Sequence, residues 1–230
     1  RHDPALYPGR RSGEFEMKSF LSGLASVLTV VVVPLFFVRL LLIPAFPALE
    51  YRMPGFPEDT YGFTYEERVK WATYGIEYLL NDAGPEYLGD LRFENGVPVF
   101  TEREVSHMLD VKIVVGHTLT VFRLSLVLLV ALGLFAWRRG WVDSFRLGIS
   151  RGGWILLVLL LTLGALAAVS FWQFFSAFHA IFFEGDSWLF AFSDTLIRLY
   201  PIRFWQDVIL YILGGSALAG GLLGWFLGKR

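Results

Sequence analysis

Four stretches of this chain are too long and too apolar to fold into a water-soluble core: Phe20–Phe46, Val111–Trp137, Trp154–Phe183 and Asp207–Leu227. A helix needs about 20 such residues to cross a hydrocarbon layer of about 30 Å. The second stretch is interrupted by Lys112, His117 and Arg123, yet Leu119–Trp137 is otherwise almost wholly apolar. With 55% hydrophobic and only 18% charged residues, one soluble core cannot hide this much apolar surface. The expected fold class is an all-α membrane protein, with four transmembrane helices and a small α+β extracytoplasmic cap.

Basic residues in short loops hold their side of the membrane in the cytoplasm. Arg10, Arg11 and Lys18 precede the first stretch, Arg138, Arg139, Arg146 and Arg151 lie between the second and third, and Lys229 and Arg230 follow the fourth. Four spans put all of these on one side, with both termini cytoplasmic. The acidic segment Pro47–Asp110 and the segment Glu184–Trp205 then lie outside. A net charge of −1 with no basic stripe beyond those loops argues against a nucleic-acid partner. The absence of cysteine excludes a thiol nucleophile, a disulfide framework and thiolate metal chemistry.

The expected organisation is a disordered leader or vector remnant over 1–16 and a first span over 17–46. A cap follows over 47–101, with a helix at about 64–80 and a hairpin at about 91–100. A long helix over 102–137 continues into the second span. A cytoplasmic loop (138–153), a third span (154–183), an outer interfacial loop with a short helix (184–205) and a fourth span (206–230) complete the chain. Thr64 with Glu67, and Thr101 with Glu104, are capping boxes, in which hydroxyl and carboxylate reciprocally satisfy free amides at a helix start. Asn95-Gly96 between Leu91–Phe93 and Val97–Phe100 signals a hairpin, with Pro98 confining the second strand to an edge. Ser216, Gly220, Gly224 and Gly228 form a ridge of small residues suited to close helix packing.

His107 and His179 are the first candidates for chemistry, because imidazoles at a lipid boundary titrate near neutrality and are costly to keep there. Asp110 follows His107 by one turn, and Glu184 and Asp186 follow His179. Asp194 and Arg198 join Arg203 and Asp207 in a charged cluster around the outer loop. His117 and Arg123 lie deeper, and Arg123 is expected to face the bundle and find a partner or a wet cavity. Two imidazoles and a carboxylate would suit zinc, but there is no HExxH and no second histidine at i+3 or i+4, so no metal is assigned. No GxSxG elbow supports a serine nucleophile.

FHAIFFEGDSWLF followed by DTLIRLYPIRFW, with Ser106–Lys112 upstream, resembles the four-helix integral membrane family of the lipoprotein intramolecular transacylase of Gram-positive bacteria. The resemblance covers about Met17 to Lys229, and the segment from His179 to Trp205 carries most of it. It implies an acyltransferase that moves the sn-2 acyl chain of a diacylglyceryl-cysteine lipoprotein to that lipoprotein's free α-amino group. The two histidines held to be essential in the family match His107 and His179. It further implies diacylglyceryl-modified lipoproteins and membrane lipid as partners, no cofactor, and a site on the extracytoplasmic side. His179 is then assigned as the base and His107 as the electrophilic partner. Asp110, Glu184, Asp186, Asp194 and Arg198 are expected to support or bind around them. A lipid or lipoprotein hydrolase using the same pair, and a non-catalytic scaffold or accessory subunit with a binding cap, are the competing readings.

Overall fold

The computed structural model describes residues 8–229. Its helices are α1 (Pro8–Leu41), α2 (Phe46–Glu50), α3 (Tyr65–Leu80), α4 (Glu86–Gly89), α5 (Glu102–Arg139), α6 (Val142–Val169), α7 (Phe171–Phe182), α8 (Thr195–Leu199) and α9 (Ile202–Gly228). Four are long and apolar enough to cross a bilayer: Gly13–Leu41 of α1, then α5, α6 and α9. Leu124, Val127, Leu128, Ile155, Val158, Leu161, Leu210 and Leu218 on these helices are exposed, which only a lipid solvent would tolerate in such number. The 38 residues of α5 make it roughly 57 Å long, well beyond the hydrocarbon thickness, so it extends out of the membrane.

Four features depart from the sequence expectations. Residues 8–16 belong to α1, where a leader was expected; residues 1–7 of that segment lie outside the described residues. The loop expected at 138–153 shrinks to Gly140-Trp141. Gly140, at φ +70°, donates to Trp137 O (3.2 Å) and Trp141 donates to Ala136 O (2.8 Å). This is a Schellman closure of α5, and its left-handed residue favours glycine. The expected third span is broken: α6 ends at Val169, and extended Ser170 caps α7 by accepting the Gln173 amide. No strand forms among the described residues, so the α+β cap is a cap of helices and turns. The hairpin region contains one bridge, Arg92 with Pro98, flanked by Phe93 N to Val97 O (2.9 Å) and Val99 N to Leu91 O (3.0 Å). Pro98 has no amide proton to extend that ladder.

The chain divides into two compact units. One comprises the described residues up to 36, residues 121–163 and the described residues from 213 on, and small residues set its packing. Ser26 Oγ donates to Gly148 O (2.8 Å) and Ser150 Oγ to Gly224 O (2.8 Å), so hydroxyls bridge helix backbones directly. A methyl group on Gly153 would overlap Gly220 O and come within 2.8 Å of Gly224 N.

The other unit comprises residues 37–120 and 164–212. Its core gathers Phe46, Trp71, Tyr78, Val99, Phe100, Met108, Leu196, Leu199, Tyr200 and Phe204. The Thr64–Glu67 capping box opens α3, with both reciprocal bonds formed (2.9 and 3.2 Å). Tyr200 Oη donates to Ala72 O (2.8 Å) over the space left by Gly75. Buried Arg68 donates to Arg198 O and Pro57 O (2.8 Å each), tying α3 to the end of α8.

Gly153→Ala is expected to destabilise the protein by about 1–3 kcal/mol, because the obstructing atoms are backbone and cannot rotate away. Gly221→Ala, whose methyl meets only Leu157 Cδ2 at 3.6 Å, serves as the neutral comparison. Thermal unfolding of both variants in detergent measures the difference; equal midpoints would refute the close approach.

Candidate active site

His107 lies on α5 just after the turn that starts the helix. Thr101 and Glu104 close that turn with bonds from Thr101 N (2.7 Å) and Thr101 Oγ1 (2.9 Å) to Glu104 Oε2. His179 lies on α7, whose start is fixed by Ser170. Both belong to the unit formed by residues 37–120 and 164–212, and both are only 9% exposed.

The two imidazoles meet a common aromatic ring. Phe183 lies 4.9 Å from the His107 centroid and 5.6 Å from that of His179. Phe190 covers His107 at 5.4 Å, and Phe175 and Trp188 cover His179 at 4.1 and 4.6 Å. Each imidazole therefore sits in an apolar enclosure from which bulk water is largely displaced.

Their hydrogen bonding differs. His179 Nδ1 lies 2.8 Å from Phe175 O, and a carbonyl only accepts, so Nδ1 carries the proton and Nε2 presents a lone pair. Burial pushes the His179 pKa down, and the Phe175 carbonyl only partly opposes this. The ring is thus neutral at neutral pH, with Nε2 as its basic atom. His107 Nδ1 is buried without a hydrogen-bond partner among the described residues.

Five residues were expected from sequence to support the imidazoles: Asp110, Glu184, Asp186, Asp194 and Arg198. Among the described residues, none of their side chains hydrogen-bonds either imidazole. Asp110 is half-buried and Glu184 is exposed, and neither forms a hydrogen bond or ion pair there. Asp186 contributes its carbonyl, which accepts Arg103 Nη2 at 2.7 Å. Asp194 Oδ2 accepts the Ala191 amide (2.9 Å), so it shapes its own turn. Arg198 pairs with Asp59 (2.9 Å) and packs on Phe63 at 3.5 Å, a link across 139 positions of sequence. The hydrogen bonds at the site go to backbone carbonyls, which every residue has and no sequence pattern marks. His117 is exposed. Arg123 is also exposed and makes no ion pair among the described residues, unlike the inward-facing role expected of it. Among the described residues, no group of three or more His, Asp or Glu gathers in a metal-binding arrangement.

A buried acid pair joins Asp207, expected in the charged cluster, to Glu50, which sequence reasoning missed. Glu50 of α2 is 1% exposed and Asp207 of α9 is 7% exposed; the two carboxyls meet, and Arg203 pairs with Asp207 (2.5 Å). Burial and the Asp207 contact push the Glu50 pKa up to about 7. A lone acid directly after the apolar stretch Phe46–Leu49 was the available signal.

The sequence matches the family of the lipoprotein intramolecular transacylase Lit over residues 20–205. The chain belongs to that family. Membership makes this protein an acyltransferase, and its four apolar helices make it a multi-pass membrane protein. An uncharacterized protein of Aquifex aeolicus (strain VF5) is 39% identical over 175 residues, covering 76% of this chain and 77% of that one. The in meso structure of the membrane integral transacylase Lit from Bacillus cereus superposes with a TM-score of 0.71 at 21% identity, over 90% of this chain and 94% of the other. A variant of that protein with a histidine replaced by arginine gives a TM-score of 0.68 at 21% identity, over 94% and 95% of the two chains. At this identity the structural likeness is one of fold.

The raised Glu50 pKa carries a signed prediction for this family member. The folded state holds that proton to about pH 7, whereas an unfolded glutamate releases it near 4.5. Stability from this group is therefore full below about 4.5 and declines as pH rises through about 7. Unfolding midpoints across that window should fall for the parent protein and fall less for Glu50→Gln. Parallel curves would show that Glu50 is not protonated in the fold.

Proposed function

We propose that this protein transfers the sn-2 acyl chain of a diacylglyceryl-cysteine lipoprotein to the lipoprotein's own α-amino group, with His179 as base and His107 as electrophilic partner. The observation that carries this reading is the pair of buried imidazoles on one shared ring, one of them held with its Nε2 lone pair free. Family membership supplies the reaction class.

The steps follow from those groups. Nε2 of His179 removes a proton from the α-ammonium, whose pKa is about 8. The amine nitrogen attacks the sn-2 ester carbonyl, forming a C–N bond and an oxyanion. An N–H of His107 stabilises that oxyanion. His179 passes that first proton to solvent, takes a second from the now positively charged nitrogen, and hands it to the glycerol oxygen as collapse breaks the carbon–oxygen bond. An amide and a free hydroxyl result, and replacement of ester by amide drives the transfer without ATP. Nucleophile and ester belong to one molecule, so the site mainly holds a reactive conformer, and the high effective molarity of such arrangements does much of the rest. The aromatic lining suits a substrate whose reacting carbonyl sits on an acyl chain.

The basic residues of the short connections support an orientation with both termini cytoplasmic and the histidines on the extracytoplasmic side. Diacylglyceryl-modified lipoproteins are then the substrate class, presented from the surrounding lipid.

The test is expression in bacteria depleted of their normal amino-terminal lipoprotein acylation, with the lipoprotein terminal peptide read by mass spectrometry. N-acyl, S-monoacylglyceryl cysteine is the expected product. Free fatty acid with an unacylated amine would favour a hydrolase, and unchanged diacylglyceryl cysteine alongside a folded, inserted protein would remove the reading. His107→Ala and His179→Ala are each expected to lower the rate by about 10²- to 10⁴-fold without loss of insertion, and His117→Ala to retain most activity.

The pH profile has a definite sign. His179 is already neutral at pH 7, so the substrate amine limits the rate, which should rise with pH and level off near 8. Rates measured in vesicles check this; a decline over the same range would mean that a protonated imidazole is the active species.

A further inference from the structure

Arg103 stands four residues before His107 on α5, hence on the same helix face. Its Nη2 donates to Asp186 O (2.7 Å), and that oxygen also accepts the Leu189 amide (2.9 Å), closing the turn that holds Trp188. Gly185, at φ +59°, bends the chain into this turn. Trp188 in turn lies against His179 and within 6.1 Å of Phe175. The same guanidinium faces Phe190 at 5.4 Å, and Phe190 faces His107 at 5.4 Å. Among the described residues, no other hydrogen bond joins residues 184–190 to a different element; aromatic packing, which resists sliding poorly, supplies the rest.

We infer that Arg103 is a positioning residue for the proposed transfer: its hydrogen bond to the Asp186 carbonyl pins the turn that lays Trp188 over His179, while its face steadies Phe190 over His107. The inference rests on the transacylase reading for its functional consequence, and on geometry alone for its structural one. Arg103 acts through the two aromatic rings and not on the substrate. A guanidinium is suited to this because one planar group both donates to a carbonyl and stacks on a ring. Lysine provides a donor and a charge but not the plane, so it should substitute in part.

Two readouts test it on the full chain in lipid nanodiscs. Protonated imidazole quenches an indole it touches, so tryptophan emission should drop as His179 titrates, and Trp188→Phe identifies the portion due to that pair. Arg103→Ala is expected to remove at least half of that portion at an unchanged unfolding midpoint, with Arg103→Lys intermediate. Turnover should follow, with kcat reduced roughly 10- to 100-fold and KM little changed, as a small misplacement of catalytic groups produces. A full Trp188 step in Arg103→Ala overturns the inference, and so does a rise in KM with kcat and the step preserved, which would mark Arg103 as a substrate contact. Should Arg103→Ala unfold, Arg103→Gln and Arg103→Lys give the same comparison. A parent protein that shows the Arg103-dependent emission step but makes no N-acylated product would uphold the positioning role and refute the transacylase reading.

Discussion

The arrangement around the histidines depends on the Glu104 carboxylate, which is 1% exposed and caps two helices at once. Oε2 accepts the amide and hydroxyl of Thr101 at the start of α5, while Oε1 accepts the Leu196 amide at the start of α8 (2.7 Å). A carboxylate taken out of water is unfavourable unless its lone pairs are filled. Here three donors fill them, and the unmatched amides of two helix starts supply two of the three. Thr195 Oγ1 donates to Val99 O (2.6 Å) beside it, so the two helix starts are fastened by bonds in both directions. His107 stands one turn beyond Glu104, and the segment between α7 and α8 brings Trp188 and Phe190. This one group thus holds the polypeptide that covers both imidazoles in register with the helix that carries one of them.

The apolar surroundings then decide what the imidazoles are. A lone histidine in water divides its proton between two nitrogens and titrates near 6.5. Enclosure by Phe175, Phe183 and Trp188 disfavours the charged form of His179, and the Phe175 carbonyl selects the Nδ1-protonated tautomer. Protonation state and direction of the lone pair are fixed by two different features, one a ring cluster and the other a single helix carbonyl four residues back. In the proposed reaction that division matters, because a base must be both unprotonated and aimed.

The legible parts of the sequence were those in which a local pattern has one physical outcome. The long apolar runs gave four membrane-length helices, and Thr64 with Glu67 gave the capping box that opens α3. The Arg139-Gly140-Trp141 turn was readable in principle from its glycine, yet the basic residues around it suggested a loop. The break at Ser170 carried no proline or glycine; a serine hydroxyl competing for an amide inside an apolar helix is too weak a signal to be seen in advance. Asn95-Gly96 did turn the chain, but a single bridge at Pro98 is too short for strands. At the site, the histidines were legible through their place at the ends of apolar runs and through family resemblance. Their surroundings were not, since Phe175 O and Asp186 O are backbone atoms, and the partner of Arg198 is Asp59, remote in sequence.

His107 completes the picture by what it lacks. A buried nitrogen without a hydrogen bond destabilises a fold by about 1–3 kcal/mol, and Phe183 and Phe190 offer it no partner. In the proposed reaction the substrate is the group that would satisfy it. A ground-state ester carbonyl accepts weakly, whereas the oxyanion formed on attack accepts strongly. Under the proposed mechanism that hydrogen bond would form mostly in the transition state, where binding accelerates a reaction and does not merely retain its substrate. In the proposed reaction the two histidines are therefore unequal: the Phe175 carbonyl already orients His179, and His107 would gain its hydrogen bond as the acyl chain is transferred.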